Sequence, residues 1–120
     1  MSAVSKEGHC LGLIGGLGPD ATVHYYRELV AAFEKHDRVL RLLIAHADYN
    51  RVYSTVTSKD YDGLARYLAG LIANMAAGGA EVSAIVAVTP HICATQLTAL
   101  SPLPLVNMLS EVPRAVRAQA

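Results

Sequence analysis

Leu11-Gly12-Leu13-Ile14-Gly15-Gly16-Leu17-Gly18-Pro19-Asp20-Ala21-Thr22 is the stretch that decides the fold of this 120-residue chain. The apolar run Leu11 to Ile14 predicts a short buried strand, and the glycines after it predict a tight turn. Gly16 and Gly18 permit backbone geometry and close approach that a Cβ would obstruct. Pro19 suits the first position of a helix, where its missing N–H is no loss. The unbonded amides of that first turn then face the space above the strand, and they favour an anion. A strand ending in such a turn is a candidate cradle for a carboxylate or phosphate.

Working outward, residues 1–10 read as a flexible leader, and residues 11–120 as one α/β lobe. A helix is expected from Pro19 to about His36, with Ala21, Tyr25, Leu29, Ala32 and Phe33 on one face at helical spacing. Val39 to Ala45 is apolar apart from Arg41, the pattern of a parallel strand covered on both faces. Asp48 to Ser58 is polar and aperiodic and reads as a loop. Ser58 is the expected N-cap of a second helix, with Asp60 and Asp62 in its first turn. That helix carries Leu64, Leu68, Leu71, Ile72 and Met75 on one stripe and stops at Gly78-Gly79. Val82 to Val88 is the third expected strand, and Thr89-Pro90 opens a helix through about Ala99. A short strand is expected at Leu105 to Met108, with a final helical piece from Ser110. Alternation of strand and helix predicts a parallel sheet of about four strands with right-handed crossovers. Ligands of such sheets sit beyond the carboxyl ends of the strands. Three segments should meet there: Gly15 to Pro19, Ala47 to Arg51, and Val88 to His91.

Composition narrows the partners. Ten basic and ten acidic side chains balance, and no run of either sign invites nucleic acid. No apolar stretch reaches membrane-span length, and the first ten residues lack an apolar signal core. Two cysteines, Cys10 and Cys93, make no disulfide framework, so a reducing, cytoplasmic setting is expected. Hydrophobic residues make up 52% against 17% charged, a balance that points to burial on both sides or an interface with a missing partner.

Several readings of the chemistry stand side by side. Gly16, Gly18 and Ala21 fit the dinucleotide spacing G-x-G-x-x-A, but Asp37 and Asp48 are poorly placed for the acidic residue that should follow. The same glycines also fit a plain strand-to-helix turn. Thr89 is an N-cap with Pro90 behind it, and its hydroxyl and the following amides could equally bind a carboxylate, with His91 nearby as proton donor or acceptor. Arg51 could clamp a carboxylate through a bidentate pair or stand solvated. Cys93 reads as a small buried hydrophobe, and Cys10 lies at the wrong end of the sheet for the site. His9, His24, His36 and His46 show no metal-ligand spacing, so no metal is expected.

Together these pieces resemble the aspartate/glutamate racemase family, whose members work without pyridoxal phosphate. Gly15-Gly16-Leu17-Gly18-Pro19 with Ala21-Thr22 looks like the family's opening motif. Gly79-Ala80-Glu81 before a strand ending in Thr89-x-His91 resembles the segment that carries its first catalytic cysteine. The resemblance implies a two-lobed enzyme of roughly twice this length, free of cofactor, that acts on a small amino or carboxylic acid. One cysteine from each lobe faces the α-carbon, one thiolate removing the proton while the opposite thiol returns one. By this resemblance the substrate contacts are Gly16, Gly18, Thr22, Arg51 and Thr89, and the reaction centre includes Ala87, Thr89 and His91.

Two departures accompany it. Ala87 stands where the family carries its first cysteine, and Val88 stands where an asparagine usually follows. Alanine can neither take nor give a proton. The second cysteine belongs to a lobe expected beyond Ala120. The resulting expectation is a racemase-like lobe that is inactive by itself and completed by a second lobe or a homodimer. The alternatives are a non-catalytic acid-binding or dimerising module, and a nucleotide-binding module.

Overall fold

The computed structural model describes residues 9–86 and 93–106. Strands β1 (Leu11–Gly15), β2 (Leu42–His46), β3 (Val82–Ile85) and β4 (Leu105–Val106) form a four-stranded sheet in the order β2-β1-β3-β4. All three pairings are parallel, as expected. Helix α1 (Pro19–Lys35) joins β1 to β2, helices α2 (Tyr49–Thr57) and α3 (Tyr61–Ala77) join β2 to β3, and α4 (Ala94–Leu100) precedes β4.

The period-two alternation of the strands divides the core into two layers. Leu13, Ala84 and Val86 pack with Leu29 and Phe33 of α1 on one face. Ile14 and Ile85 point the other way, into a larger cluster with Val52 of α2, Leu64, Leu68, Ile72 and Met75 of α3, and Leu97 of α4. Each such side chain, fully buried, stabilises the fold by about 1.5–3 kcal/mol. Gly12 sets the spacing between the sheet and α3, because a Cβ there would lie 2.9 Å from Met75 Sδ and 3.2 Å from the Ala80 Cβ. Ser83 is the polar side chain buried among the described residues, and its hydroxyl donates to the Pro104 carbonyl at 3.3 Å beside β4.

Several expectations need correction. Asp48 to Ser58 is not a loop: it holds the helix Tyr49–Thr57. Its hydroxyls turn back on the backbone, Thr55 Oγ1 donating to the Val52 carbonyl at 2.8 Å and Thr57 Oγ1 to the Tyr53 carbonyl at 3.0 Å. Polar residues with weak helix propensity are thereby satisfied inside the helix, while Val52 anchors it in the core. Ser58 is the C-cap of α2 rather than the N-cap of α3. Asp60 takes that role, its carboxylate accepting from the Gly63 amide at 2.9 Å. The second strand runs Leu42–His46 instead of Val39 to Ala45, and at the sheet edge its cover is partial: Leu42 packs on one layer, Leu43 and Ala45 on the other, and no residue of the strand is fully buried. Ile44 there is 46% exposed. On α1, Leu29 and Phe33 are buried and Tyr25 and Ala32 partly so, whereas Ala21 is exposed at the first turn. Cys93 sits at the N-cap of α4, not one turn inside the helix. β3 ends at Ile85, with Val86 in a bend; residues 87 and 88 of the expected strand, the continuation of β4 to Met108, the Thr89-Pro90 helix start and the Ser110 piece lie outside the described residues.

At the amino end of the sheet, Glu81 ties β1 to β3. Its carboxylate accepts from the Cys10 amide at 3.0 Å, pairs with His9 Nδ1 at 2.9 Å and lies 3.9 Å from Arg41 Nη1. The His9 hydrogen bond foremost, then the Cys10 amide, hold the Glu81 carboxyl below its ordinary value of 4.5. A depressed carboxyl pKa means the clamp is complete above that ordinary value and is lost as pH falls through the lowered one. Protection of the Cys10 amide relative to its intrinsic exchange rate should therefore fall as the pH is lowered through the depressed Glu81 pKa, and Glu81→Gln should abolish that pH dependence. Leu68→Ala empties a fully buried position and should lower stability by about 2–5 kcal/mol in urea denaturation. A loss below about 1 kcal/mol would contradict the two-layer core.

Candidate active site at the carboxyl edge of the sheet

The ends of three strands meet where the glycine turn begins. Gly15 closes β1 opposite His46 of β2, and the Ala47 amide donates to the Gly15 carbonyl at 2.8 Å. On the other side the Val86 amide donates to the Ile14 carbonyl at 3.0 Å. Gly16 has φ +89 and Gly18 φ +118, conformations that L side chains resist. At Gly16 sterics act as well: a Cβ would strike the His46 imidazole and sit 3.0 Å from the Ala47 carbonyl oxygen.

Thr22 knits this turn together. Its hydroxyl oxygen accepts from the Gly16 amide at 3.0 Å, and the hydroxyl donates to the Gly18 carbonyl at 3.3 Å. The Thr22 amide returns to the same Gly18 carbonyl at 3.1 Å. A Cβ on Gly15 would lie 2.6 Å from Thr22 Cγ2, so the strand end and the helix start touch directly. Gly18 is the N-cap of α1 and has no side chain to cap it, which leaves the Asp20 and Ala21 amides without a hydrogen-bond partner at the positive end of the helix dipole. Here the turn can do its chemistry: two free amides and the axis of a 17-residue helix point at one small volume.

Gly16, Gly18 and Thr22 are thus brought into one structure, with Thr22 acting through the turn it holds. Arg51 makes its contact on α3. It lies in the first turn of α2, its guanidinium carbon 4.4 Å from the centroid of the Tyr67 ring on α3. The Tyr67 hydroxyl in turn accepts from the Asp48 amide at 2.9 Å, while the Asp48 carboxylate caps α2 through the Asn50 amide at 3.0 Å. Ala87, Thr89 and His91 lie outside the described residues. Cys93, just beyond them, is fully buried, and burial pushes its thiol up, away from the thiolate a base requires. Cys10 lies at the opposite end of β1, roughly 16 Å of strand away from the turn.

One residue at this edge escaped the reading of the sequence as anything but a rejected metal ligand. His46 ends β2 and packs against Gly16, with its side chain exposed beside the turn. The signal was its place at the carboxyl end of a parallel strand, but only the β1–β2 register sets it opposite Gly15. Among the described residues, no group of three or more His, Cys, Asp or Glu side chains could hold a metal ion. No helix among them is long and apolar enough to cross a membrane.

The fold and its turn define a class first, a parallel α/β lobe with an anion-receiving helix start at the strand ends. Residues 14–120 match the family model for Asp/Glu/hydantoin racemases, and the chain belongs to that family. A crystal structure of a candidate Asp/Glu racemase from Yersinia pestis superposes with a TM-score of 0.79 at 23% identity, over 92% of this chain and 50% of that one. An aspartate racemase homologue from Pyrococcus horikoshii OT3 gives 0.74 at 20% identity, over 93% and 50%. The chain therefore spans about half the length of these solved structures, one lobe of their fold. No curated protein matches it.

The turn geometry carries its own test. Thr22→Val leaves the Gly16 amide unpaired and should cost about 1–3 kcal/mol of stability. Gly16→Ala adds strain and a collision and should cost at least about 1–3 kcal/mol. Urea denaturation checks both, and a neutral Gly16→Ala would contradict the described turn.

Proposed function

We propose that this chain is an acid-binding lobe of the racemase family, one that receives the carboxylate of a small amino acid at the glycine turn. The observation that supports it is the pair of unbonded amides of Asp20 and Ala21 behind an N-cap with no side chain. A carboxylate there completes the helix start with two charge-assisted hydrogen bonds, and the helix dipole adds to the attraction. Aspartate- and glutamate-like acids are the ligands that family membership favours. The turn amides carry this reading, and the Arg51 guanidinium is held over the Tyr67 ring on α3. Thr89 and His91 would complete the site, by the resemblance of Thr89-x-His91 to the family segment.

Proton transfer at the α-carbon, done in this family without pyridoxal phosphate, needs a base beside the bound acid. Ala87 holds the family's cysteine position and has no ionisable proton. Cys93 is buried with a raised pKa, and Cys10 is at the far end of β1. The chain by itself therefore binds the acid and leaves its stereocentre untouched. Stabilisation of developing charge at the carboxylate by the turn amides remains available to a base supplied by a second lobe or a second copy.

The experiment pairs binding with exchange. Isothermal titration calorimetry should show L-aspartate binding, and NAD should produce no heat. In D2O, the α-proton signal of bound L-aspartate should persist over days. Binding of NAD without aspartate would replace the acid reading with the nucleotide one. Washout of the α-proton would show a base that the described residues do not contain.

A further inference from the structure

The outward face of α3 carries a second feature that the acid site does not use. A groove of about 350 Å³ runs along it, lined by Arg66, Tyr67, Gly70, Leu71 and Asn74 and walled by Arg51 of α2. Arg66, Gly70 and Asn74 stand at four-residue intervals and form one row on the helix, opposite the buried Leu64, Leu68, Ile72 and Met75. Gly70 forms the floor of this row. Glycine in a helix interior is disfavoured relative to alanine, and α3 is 17 residues long with Gly70 well inside it. Packing does not require it, since a Cβ would meet no heavy atom within 4 Å. Backbone conformation does not require it either, because Gly70 is absent from the positive-φ glycines. What the missing side chain provides is open space in the groove, between Arg66 and Asn74 along the row.

Those cations lack counterions. Among the described residues no ion pair involves Arg51 or Arg66, and no acidic side chain lines the groove. Arg51 is steadied over the Tyr67 ring, which fixes the plane of its guanidinium and leaves its N–H edge for a ligand. Asn74 adds an amide donor at the far end of the row.

We propose that this groove is an oxyanion site that takes the doubly charged phosphate group of a small soluble ligand. A phosphate dianion offers three acceptor oxygens to two guanidiniums and an amide, whereas a single carboxylate would satisfy only one fork. The site stands apart from the acid-binding turn, none of whose residues line it. Its occupant couples α2 to α3 by bridging Arg51 and Arg66, and so bears on the helix that begins at the carboxyl edge of β2.

The test is a titration of the full chain with inorganic phosphate, against acetate at matched ionic strength, read by calorimetry and by amide chemical shifts. Phosphate should bind with a Kd of about 1 mM or tighter, and acetate about tenfold more weakly. Arg66→Gln, an exposed change, should weaken phosphate about tenfold. Gly70→Ala separates the readings, because it should raise Tm by about 4 °C through helix propensity while weakening phosphate binding severalfold by filling the floor. A stabilised Gly70→Ala with unchanged phosphate affinity would overturn the proposal. So would wild-type affinity in Arg66→Gln, equal binding of acetate and phosphate, or no phosphate heat up to about 10 mM. Phosphate shifts confined to the Asp20 and Ala21 amides would place the anion at the glycine turn and would also overturn it.

Discussion

The close approach of β1's end to its neighbours is the constraint on which the rest depends. At Gly15 and Gly16 there is no room for a Cβ, because Thr22 presses from the helix start and the His46 ring and Ala47 carbonyl press from β2. The glycines let the chain turn within that space, and the Thr22 hydroxyl locks the turn by bonding to both Gly16 and Gly18. That lock aims α1 so that its first amides open over the strand ends. The same helix, nearly three turns further on, covers the sheet face, with Leu29 and Phe33 over Leu13. Fold and candidate site thus share one joint.

Everything that this joint offers is suited to holding charge, and little of it to moving a proton. The free amides and helix axis stabilise an anion without a titratable group. The two thiols of the described chain are both buried, one at the wrong end of β1 and the other with its pKa raised by desolvation. Membership of a racemase family is therefore compatible with a lobe that contributes binding, while the base comes from elsewhere or is gone. Ala87 is where that question concentrates.

The parts of the fold carried by short-range chemistry were legible in the sequence. Glycine, proline and threonine in Gly15 to Thr22 each have a local reason to be there, so the turn and the start of α1 at Pro19 could be read directly. The stripe Leu64, Leu68, Ile72 and Met75 has unbroken helical spacing and became the buried face of α3. Helix α2 was not legible, because its threonines and its C-cap serine Ser58 donate to carbonyls that are brought into reach only once the helix has formed. The edge position of β2 likewise depends on strand order, which an apolar run cannot report. The same limit governs the site. Arg51 was legible as a cation near β2, but Tyr67, nineteen residues after Asp48, is what anchors both it and the helix cap. His46 gains its place beside Gly16 only through register.

The central claim is that a small acid binds at the free amides of the glycine turn. The most direct measurement is a backbone amide shift titration of the chain with L-aspartate. The account predicts saturable shifts centred on Gly16, Gly18, Asp20 and Ala21, with the largest at the two unbonded amides of α1. Shifts that avoid this turn, or none at all, would contradict it.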